Sequence, residues 1–209
     1  MKKTGWGLVL STILMVSGAV YAADEAQPWN MGFGLTFPQG TGPTANVVKD
    51  GFGLDFNFGY HQPDRLIGFR VDMLYSSFKL SESVLQKLDN AGEGYLTVFG
   101  GGPSLVLRPR RGKWIRPSIY AGPGMYYEHA EATWGEGCDP TFGCVNSGSN
   151  TDTSKVNTTR WGYQGGAGLD FLFDDGGGAI SFHVQYVRIN NTHTDVEFVP
   201  INIGYKVMF

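Results

Sequence analysis

Apolar residues alternate with small or polar residues, at a period of two, along eight stretches of this chain. In the clearest stretch, FGLDFNFGY at residues 52–60, every even position carries Phe, Leu or Tyr. Successive side chains of a β-strand point to opposite faces, so this pattern indicates strands with one apolar face. The stretches are residues 29–37, 52–60, 66–78, 95–107, 115–128, 161–173, 180–186 and 197–209. The sequence therefore predicts an all-β protein of eight strands.

Composition argues against the main alternatives to a β fold. Of the 209 residues, 31 are glycine, about twice the usual share of about 7%. Glycine inside a helix costs about 1 kcal/mol, so a helical bundle is disfavoured. The mean hydropathy of −0.15 is too low for a protein with many membrane-spanning helices. A net charge of −3 gives no reason to expect a nucleic-acid partner.

The connections between the predicted strands alternate in length. Residues 61–65, 109–113 and 174–178 form short turns. The long connections are residues 38–50, 80–92 and 130–158, and residues 190–195 are intermediate. Short turns on one rim and long loops on the other are typical of outer-membrane barrels. We therefore predict an eight-stranded, antiparallel, up-and-down transmembrane β-barrel with both termini on the periplasmic, short-turn side.

A soluble barrel of the lipocalin type also has eight strands, but its apolar face is turned inward. In this chain the apolar face is wide and rich in Phe and Tyr, and it has aromatic residues near the strand ends. The other face is crowded with glycine, amides, serine and charge. Small residues suit a narrow barrel interior, and a water-soluble protein rarely exposes so many aromatic side chains. The membrane barrel is the favoured interpretation.

The first 22 residues have the features of a secretory signal peptide. Lys2 and Lys3 precede an apolar run at residues 8–16, and small residues lead up to Ala22. A membrane anchor would need about 20 apolar residues, more than this run has. We expect cleavage after Ala22, which leaves residues 23–209 as one barrel domain. No cysteine lies near this site, so a lipoprotein anchor is not expected.

Two segments resemble small bacterial outer-membrane β-barrel proteins. The ending DVEFVPINIGYKVMF, residues 195–209, resembles their closing strand, and Tyr205 with Phe209 is similar to the signal that the barrel-assembly machinery recognises. Residues 116–124 resemble another strand of that family. The resemblance implies a bacterial outer-membrane location, contact with outer-membrane lipid and lipopolysaccharide, and the assembly machinery as a partner during biogenesis. The family contains adhesins, structural barrels, narrow channels and lipid-modifying enzymes, so it does not imply one activity.

Motifs for chemistry are sparse. There is no phosphate-binding loop, and the four histidines are not spaced as metal ligands, so no cofactor, metal or catalytic residue is predicted. His183 is expected to point inward, with Asp170 across a turn. This pair is either a catalytic device or an ordinary buried polar pair. Outer-membrane lipid A deacylases resemble this architecture, but their histidine is followed by Ser-Asn. His183 precedes Val-Gln and His193 precedes Thr-Asp.

The inward face is predicted to carry a balanced set of charges. Its members are Asp55, Arg70, Asp72, Arg116, Glu128, Arg160, Asp170 and Lys206, with His183 beside them. An unpaired charge in a confined interior is costly, so a balanced set favours a hydrogen-bonded plug. A selectivity lining for a channel is the alternative.

The long connections carry the remaining signals. A capping-box pattern at Ser83 predicts a short helix in the second long connection, residues 80–92. The third is acidic and contains the only two cysteines, Cys138 and Cys144. In an oxidising compartment these are expected to form a disulfide. A two-cysteine metal clip is the alternative.

Taken together, the residues favour a non-enzymatic barrel with a structural or surface-interaction role through its extracellular loops. The surface ligand is not identified. The alternatives are a narrow transport barrel for small or apolar solutes and, third, a lipid-modifying enzyme.

Overall fold

The computed structural model describes residues 28–62, 65–87, 93–108, 114–133, 153–173, 177–192 and 194–209. Eight strands form a closed barrel in chain order, each antiparallel to the next, and β8 returns to pair with β1. The strands are β1 (Trp29–Gly40), β2 (Val48–Tyr60), β3 (Ile67–Leu80), β4 (Glu93–Leu107), β5 (Ile115–Thr133), β6 (Thr153–Leu172), β7 (Gly178–Ile189) and β8 (Val196–Met208). The predicted fold class is confirmed.

The two ends of the chain close the barrel. The backbone N–H of Trp29 donates to the carbonyl of Phe209 at 3.2 Å, and the N–H of Phe209 donates back at 3.0 Å. From this point the β1–β8 ladder continues to the pair Gly40 and Phe198. Among the eight described strands, closure leaves no edge without a partner.

The alternation of side chains sets the two surfaces of the barrel wall. On β2, Phe52 and Leu54 are 52% and 53% exposed on the outside, while Asp55 and Asn57 are 8% and 2% exposed. Outward apolar side chains recur on every strand, so the outer wall is a continuous apolar band.

Strand β6 is longer than the sequence pattern predicts. Residues 153–158, expected to be loop, pair with the last part of β5, and Glu131 lies opposite Lys155. The Lys155 Nζ lies 3.3 Å from the Glu131 Oε1. Polar residues occupy both faces of this extension, so no apolar alternation marks it as a strand.

Two short helical elements follow β1 and β3. Residues Gly42–Asn46 form a single 3₁₀ turn, and helix α1 spans Glu82–Lys87. The predicted helix is present, but it begins before Ser83, because the carbonyl of Ser81 accepts the N–H groups of Val84 and Leu85. Within the described residues, no helix is both long and apolar enough to cross a membrane.

Candidate functional site in the barrel interior and at its long-loop rim

The interior near the short turns is organised around one carboxylate. The Lys206 Nζ lies 2.7 Å from both carboxylate oxygens of Asp170. The Arg108 guanidinium lies 3.8 Å from the same carboxylate, and the His183 Nε2 lies 3.4 Å from it. Asp170 and Lys206 are 2% and 1% exposed. Since a buried charge is costly without a partner, these contacts are what make this carboxylate tolerable inside the barrel.

His183 links this cluster to the opposite wall. Its Nδ1 lies 3.1 Å from the Arg70 Nη1. A guanidinium can only donate, so Nδ1 accepts and the ring proton is on Nε2, facing Asp170. Both ring nitrogens are thus engaged, which favours the buried polar pair over a catalytic base.

Arg70 has two further contacts. Its Nε lies 2.6 Å from the Asp72 Oδ1, and its guanidinium carbon lies 3.6 Å from the centre of the Tyr120 ring. Stacking of this kind is a cation–π interaction, and it strengthens when water is excluded. Arg70 is 2% exposed, so its contacts connect β3, β5 and β7 in the buried interior.

The network continues toward the long loops through amide side chains. Asp72 accepts hydrogen bonds from the Ser104 hydroxyl and the Gln164 Nε2, each at 3.1 Å. The Gln164 Oε1 accepts from the Tyr126 hydroxyl at 2.9 Å and from the Gln185 Nε2 at 3.0 Å. The hydrogen bonds thus run from β3 to β7 without leaving the interior.

Glycines on the inner wall make room for the bulky side chains of this network. A Cβ at Gly124 would lie 2.6 Å from the Tyr126 ring, and one at Gly166 would lie 2.7 Å from the Tyr120 hydroxyl. A Cβ at Gly168 would lie 2.8 Å from the His183 ring. Gly166 and Gly168 of the glycine-rich run at residues 165–168 therefore leave space for the Tyr120 and His183 rings.

An apolar cluster fills the interior on the long-loop side of this network. We call it the apolar plug, and it comprises Val48, Leu74, Phe78, Leu96, Val98, Val187, Ile189 and Phe198, with Tyr126 beside them. The Phe78 and Phe198 rings, from β3 and β8, meet edge-to-face at 5.3 Å, and their side chains are 1% and 0% exposed. The sequence pattern did not predict the plug, although β3, β4 and β7 each carry apolar residues on their otherwise polar face.

The other predicted interior residues lie around this core. Asp55 accepts a hydrogen bond from the Asn57 Nδ2 at 3.3 Å. The half-buried Arg116 donates to the Met208 sulfur at 3.2 Å. Glu128 is buried and Arg160 half-buried, on β5 and β6.

Arg108 also lies in the interior, where the sequence pattern did not predict it. It follows β4 directly and is 8% exposed. It lies two residues after the inward Val106, so the period of two would have assigned it to the interior.

The two residues of the expected assembly signal lie on the outside and at the seam. The ring of Tyr205 packs 6.1 Å from that of Phe33 and 6.0 Å from that of Phe173. The backbone of Phe209 pairs with that of Trp29. Cys138 and Cys144 lie outside the described residues, so their expected bond stays a prediction.

At the long-loop rim, the first two loops are tied together and to β8. The Ser81 hydroxyl donates to the carbonyl of Asn46 at 2.8 Å, and the Ser81 N–H donates to the carbonyl of Val47 at the same distance. The buried hydroxyl of Thr44 accepts the N–H of Glu197 at 2.8 Å. Residues 41–47 therefore form a strap across the start of β8.

The last loop is fixed by a second set of contacts. The Arg188 Nε lies 2.9 Å from the Asp195 Oδ2 and 3.4 Å from the Glu197 Oε1. The N–H of Asn191 donates to Asp195 at 3.0 Å. This backbone hydrogen bond, together with Arg188, lowers the pKa of Asp195 from its usual value. Glu197 contacts both Thr44 and Arg188, so the described parts of the first and last loops are connected.

No group of three or more His, Cys, Asp or Glu side chains is placed to hold a metal ion in the described part of the chain.

Comparison with known proteins agrees with this geometry. No curated protein sequence matches the chain. Among solved structures it is similar to Neisserial surface protein A, with 15% identity over 87% of this chain and 97% of that one and a TM-score of 0.54. It is also similar to Ail of Yersinia pestis, solved with the heparin analogue sucrose octasulfate (15% identity, 88% and 100% coverage, TM-score 0.53). A major outer membrane protein of Thermus thermophilus matches at 9% identity, with 88% and 100% coverage and a TM-score of 0.56.

These likenesses show the fold. The model of the outer membrane protein beta-barrel domain matches residues 8–209. The chain belongs to this family of bacterial outer-membrane β-barrels.

Proposed function

We propose that this protein is a plugged, non-enzymatic barrel whose role, structural or in surface interaction, is exerted by its long loops outside the cell. The filled interior is the observation that carries the proposal. The apolar plug lies on the long-loop side of the lumen, and the hydrogen-bonded network around Asp170, His183, Arg70 and Asp72 lies on the short-turn side. The largest side chains of both are buried. An eight-stranded barrel has an interior just wide enough for side chains, so little room is left for a solute.

The residues of the outer wall support an orientation in which the long loops lie outside the cell. The outward positions Tyr75, Phe99 and Tyr127 are neighbours on β3, β4 and β5. Four residues further toward the long loops, the outward positions are Lys79, Tyr95, Glu131 and Lys155. Aromatic residues followed by charged ones mark a membrane interface, and long loops are extracellular in this class of barrel. The rim of tied loops therefore faces the outside, both termini face the periplasm, and lipopolysaccharide surrounds the wall.

The charges at this rim argue against a polyanionic ligand. The basic residues of the described rim are Lys49, Lys79, Lys87, Lys155 and Arg188. The acidic ones are Asp50, Glu82, Glu93, Glu131, Asp195 and Glu197. Because the two signs nearly balance and the third loop adds acidic residues, we expect weak binding of heparin, unlike the complex with its analogue solved for Ail.

The experiment compares loop and lumen variants in cells. A strain lacking the protein is complemented with the wild type, with a variant whose residues 136–150 are replaced by a short Gly-Ser turn, or with Arg70→Ala. Retention of the cells on laminin, collagen and heparin surfaces is measured at matched outer-membrane levels. The proposal expects retention on laminin or collagen to fall only in the loop variant. A loss confined to Arg70→Ala would place the function in the lumen.

Transport of small apolar solutes is the second candidate, because the plug is apolar rather than charged. The test measures the entry of an apolar fluorescent dye into vesicles. Transport is favoured if the dye enters faster into proteoliposomes with the wild type or with Phe198→Ala than into protein-free vesicles. A lipid-modifying activity would appear as a mass change in lipid A when the protein is expressed.

A further inference from the structure

The interior holds a histidine whose protonation state is set by its neighbours. The Arg70 Nη1 lies 3.1 Å from the His183 Nδ1, and Asp170 Oδ1 lies 3.4 Å from Nε2. Since a guanidinium has no acceptor, Nδ1 must carry a lone pair. The imidazole is therefore neutral, with its one proton directed at the carboxylate.

Arg70 and His183 brace the barrel across its lumen. Their strands, β3 and β7, are four places apart in a closed order of eight, so they form opposite walls. Both side chains are buried, at 2% and 3% exposed. The contact between them is thus a strut between walls that share no backbone hydrogen bonds.

The surroundings of His183 offer little compensation for an added positive charge. The charged or titratable groups next to it are Arg70 from β3, Tyr120 from β5, Asp170 from β6 and Lys206 from β8. Behind them, Asp72 from β3 and Asp55 from β2 act on Arg70, and Arg108 after β4 lies near Asp170. Asp72 is engaged by Arg70, and Asp170 by Lys206. A second ring proton would sit on Nδ1, directly against the Arg70 guanidinium, and would remove the acceptor on which the strut depends.

We propose that His183 is an acid-sensitive lock of the lumen: its protonation breaks the contact with Arg70, the direct side-chain link between β3 and β7. A histidine in an unfolded chain takes up its proton near pH 6.5. The folded barrel resists that proton, so the unfolded state binds more protons as the pH falls below about 6.5. Stability is therefore complete above that pH and is lost below it, by at most about tenfold in the unfolding equilibrium constant per pH unit.

The test is urea unfolding of the refolded protein in phosphatidylcholine vesicles at pH 7.5 and pH 5.0. The variants are His183→Gln, which does not titrate, and His129→Gln, which removes a histidine near the end of β5, outside the lumen network. We expect acid to raise the unfolding equilibrium constant about tenfold more in the wild type than in His183→Gln. His129→Gln should behave as the wild type. Equal acid sensitivity of the wild type and His183→Gln, or its loss in His129→Gln, would overturn the proposal.

A second measurement does not depend on a variant that folds. Nitrogen-15 NMR of the wild-type histidine rings at pH 7.5 distinguishes the two neutral tautomers from the doubly protonated ring. The proposal expects the Nε2–H tautomer for His183 at pH 7.5 and loss of that signal at low pH. A doubly protonated His183 ring at pH 7.5 would overturn it.

Discussion

Lys206 of β8 reaches past β7 to place its ammonium 2.7 Å from both carboxylate oxygens of Asp170 on β6. The two strands are not neighbours, so the ion pair adds a connection that the backbone ladder does not provide. Both groups are almost fully buried. Removing one partner leaves the other as an uncompensated charge in the interior.

We therefore expect Lys206→Met to destabilise the barrel by about 3 to 5 kcal/mol. The matched control is Lys155→Met at the exposed pair with Glu131, which should leave the stability almost unchanged. Urea unfolding in vesicles measures both. The double variant Asp170→Leu/Lys206→Met should recover part of the loss, because it leaves no unpaired charge. Equal, small effects of both single lysine variants would contradict the buried role of Lys206.

The lumen should not conduct ions. Arg116→Ala and Arg160→Ala should lower stability rather than change ion preference, because both arginines belong to the filled interior. Single-channel recording of the refolded protein in planar bilayers tests this. Steady openings of the wild type, with an ion preference that shifts in either variant, would support a selectivity lining instead.

Cys138 and Cys144 should be joined by a disulfide in protein isolated from the outer membrane. The intervening residues, DPTFG, are good turn formers. A ring of this size contributes roughly 2 kcal/mol in the chain-entropy model, confined to the third loop. Thiol titration of the unreduced protein should find no free thiol, and reduction should release two. Two free thiols before reduction would refute the bond.

Deletion of Phe209 should reduce the amount of assembled barrel in the outer membrane. The residue belongs to the expected assembly signal, and its backbone closes the seam with Trp29. Assembly is measured by flotation with outer-membrane fractions and by heat-dependent migration on gels. Phe209→Tyr keeps an aromatic terminus and the backbone contacts, so it should assemble normally. Normal levels of the deletion variant would show that neither feature is needed.

The mature protein should begin at Ala23. Lys2, Lys3 and the apolar run that follows match a signal peptide, so Edman or mass-spectrometric sequencing of membrane-purified protein should find this terminus. Ala22→Arg should block cleavage and leave the larger precursor, whereas Ala22→Ser should still be processed. Purification of the wild type with its first 22 residues intact would contradict the assignment.

Part of the candidate site could be predicted from the sequence, because the facing of a side chain is a local property. Asp55, Asp72 and Asp170 stand between apolar residues, and a period of two therefore assigns them to the interior. The apolar plug escaped the same reasoning, since Leu74, Phe78 and Val98 lie on a face otherwise occupied by polar groups. The extension of β6 escaped it because its residues are polar on both faces.

The sequence by itself determined the eight alternating strands, the order of short and long connections and most of the inward charges, because each depends on residues close in the chain. Only the tertiary structure decided which charges meet. Arg70 faces His183, and Lys206 faces Asp170, because closure and strand stagger set the heights at which distant strands present their side chains. The strap of residues 41–47 over β8 was decided in the same way, since its Thr44 and its partner Glu197 are 153 positions apart in the chain. A contact between residues so far apart in the chain cannot be inferred from a local sequence pattern.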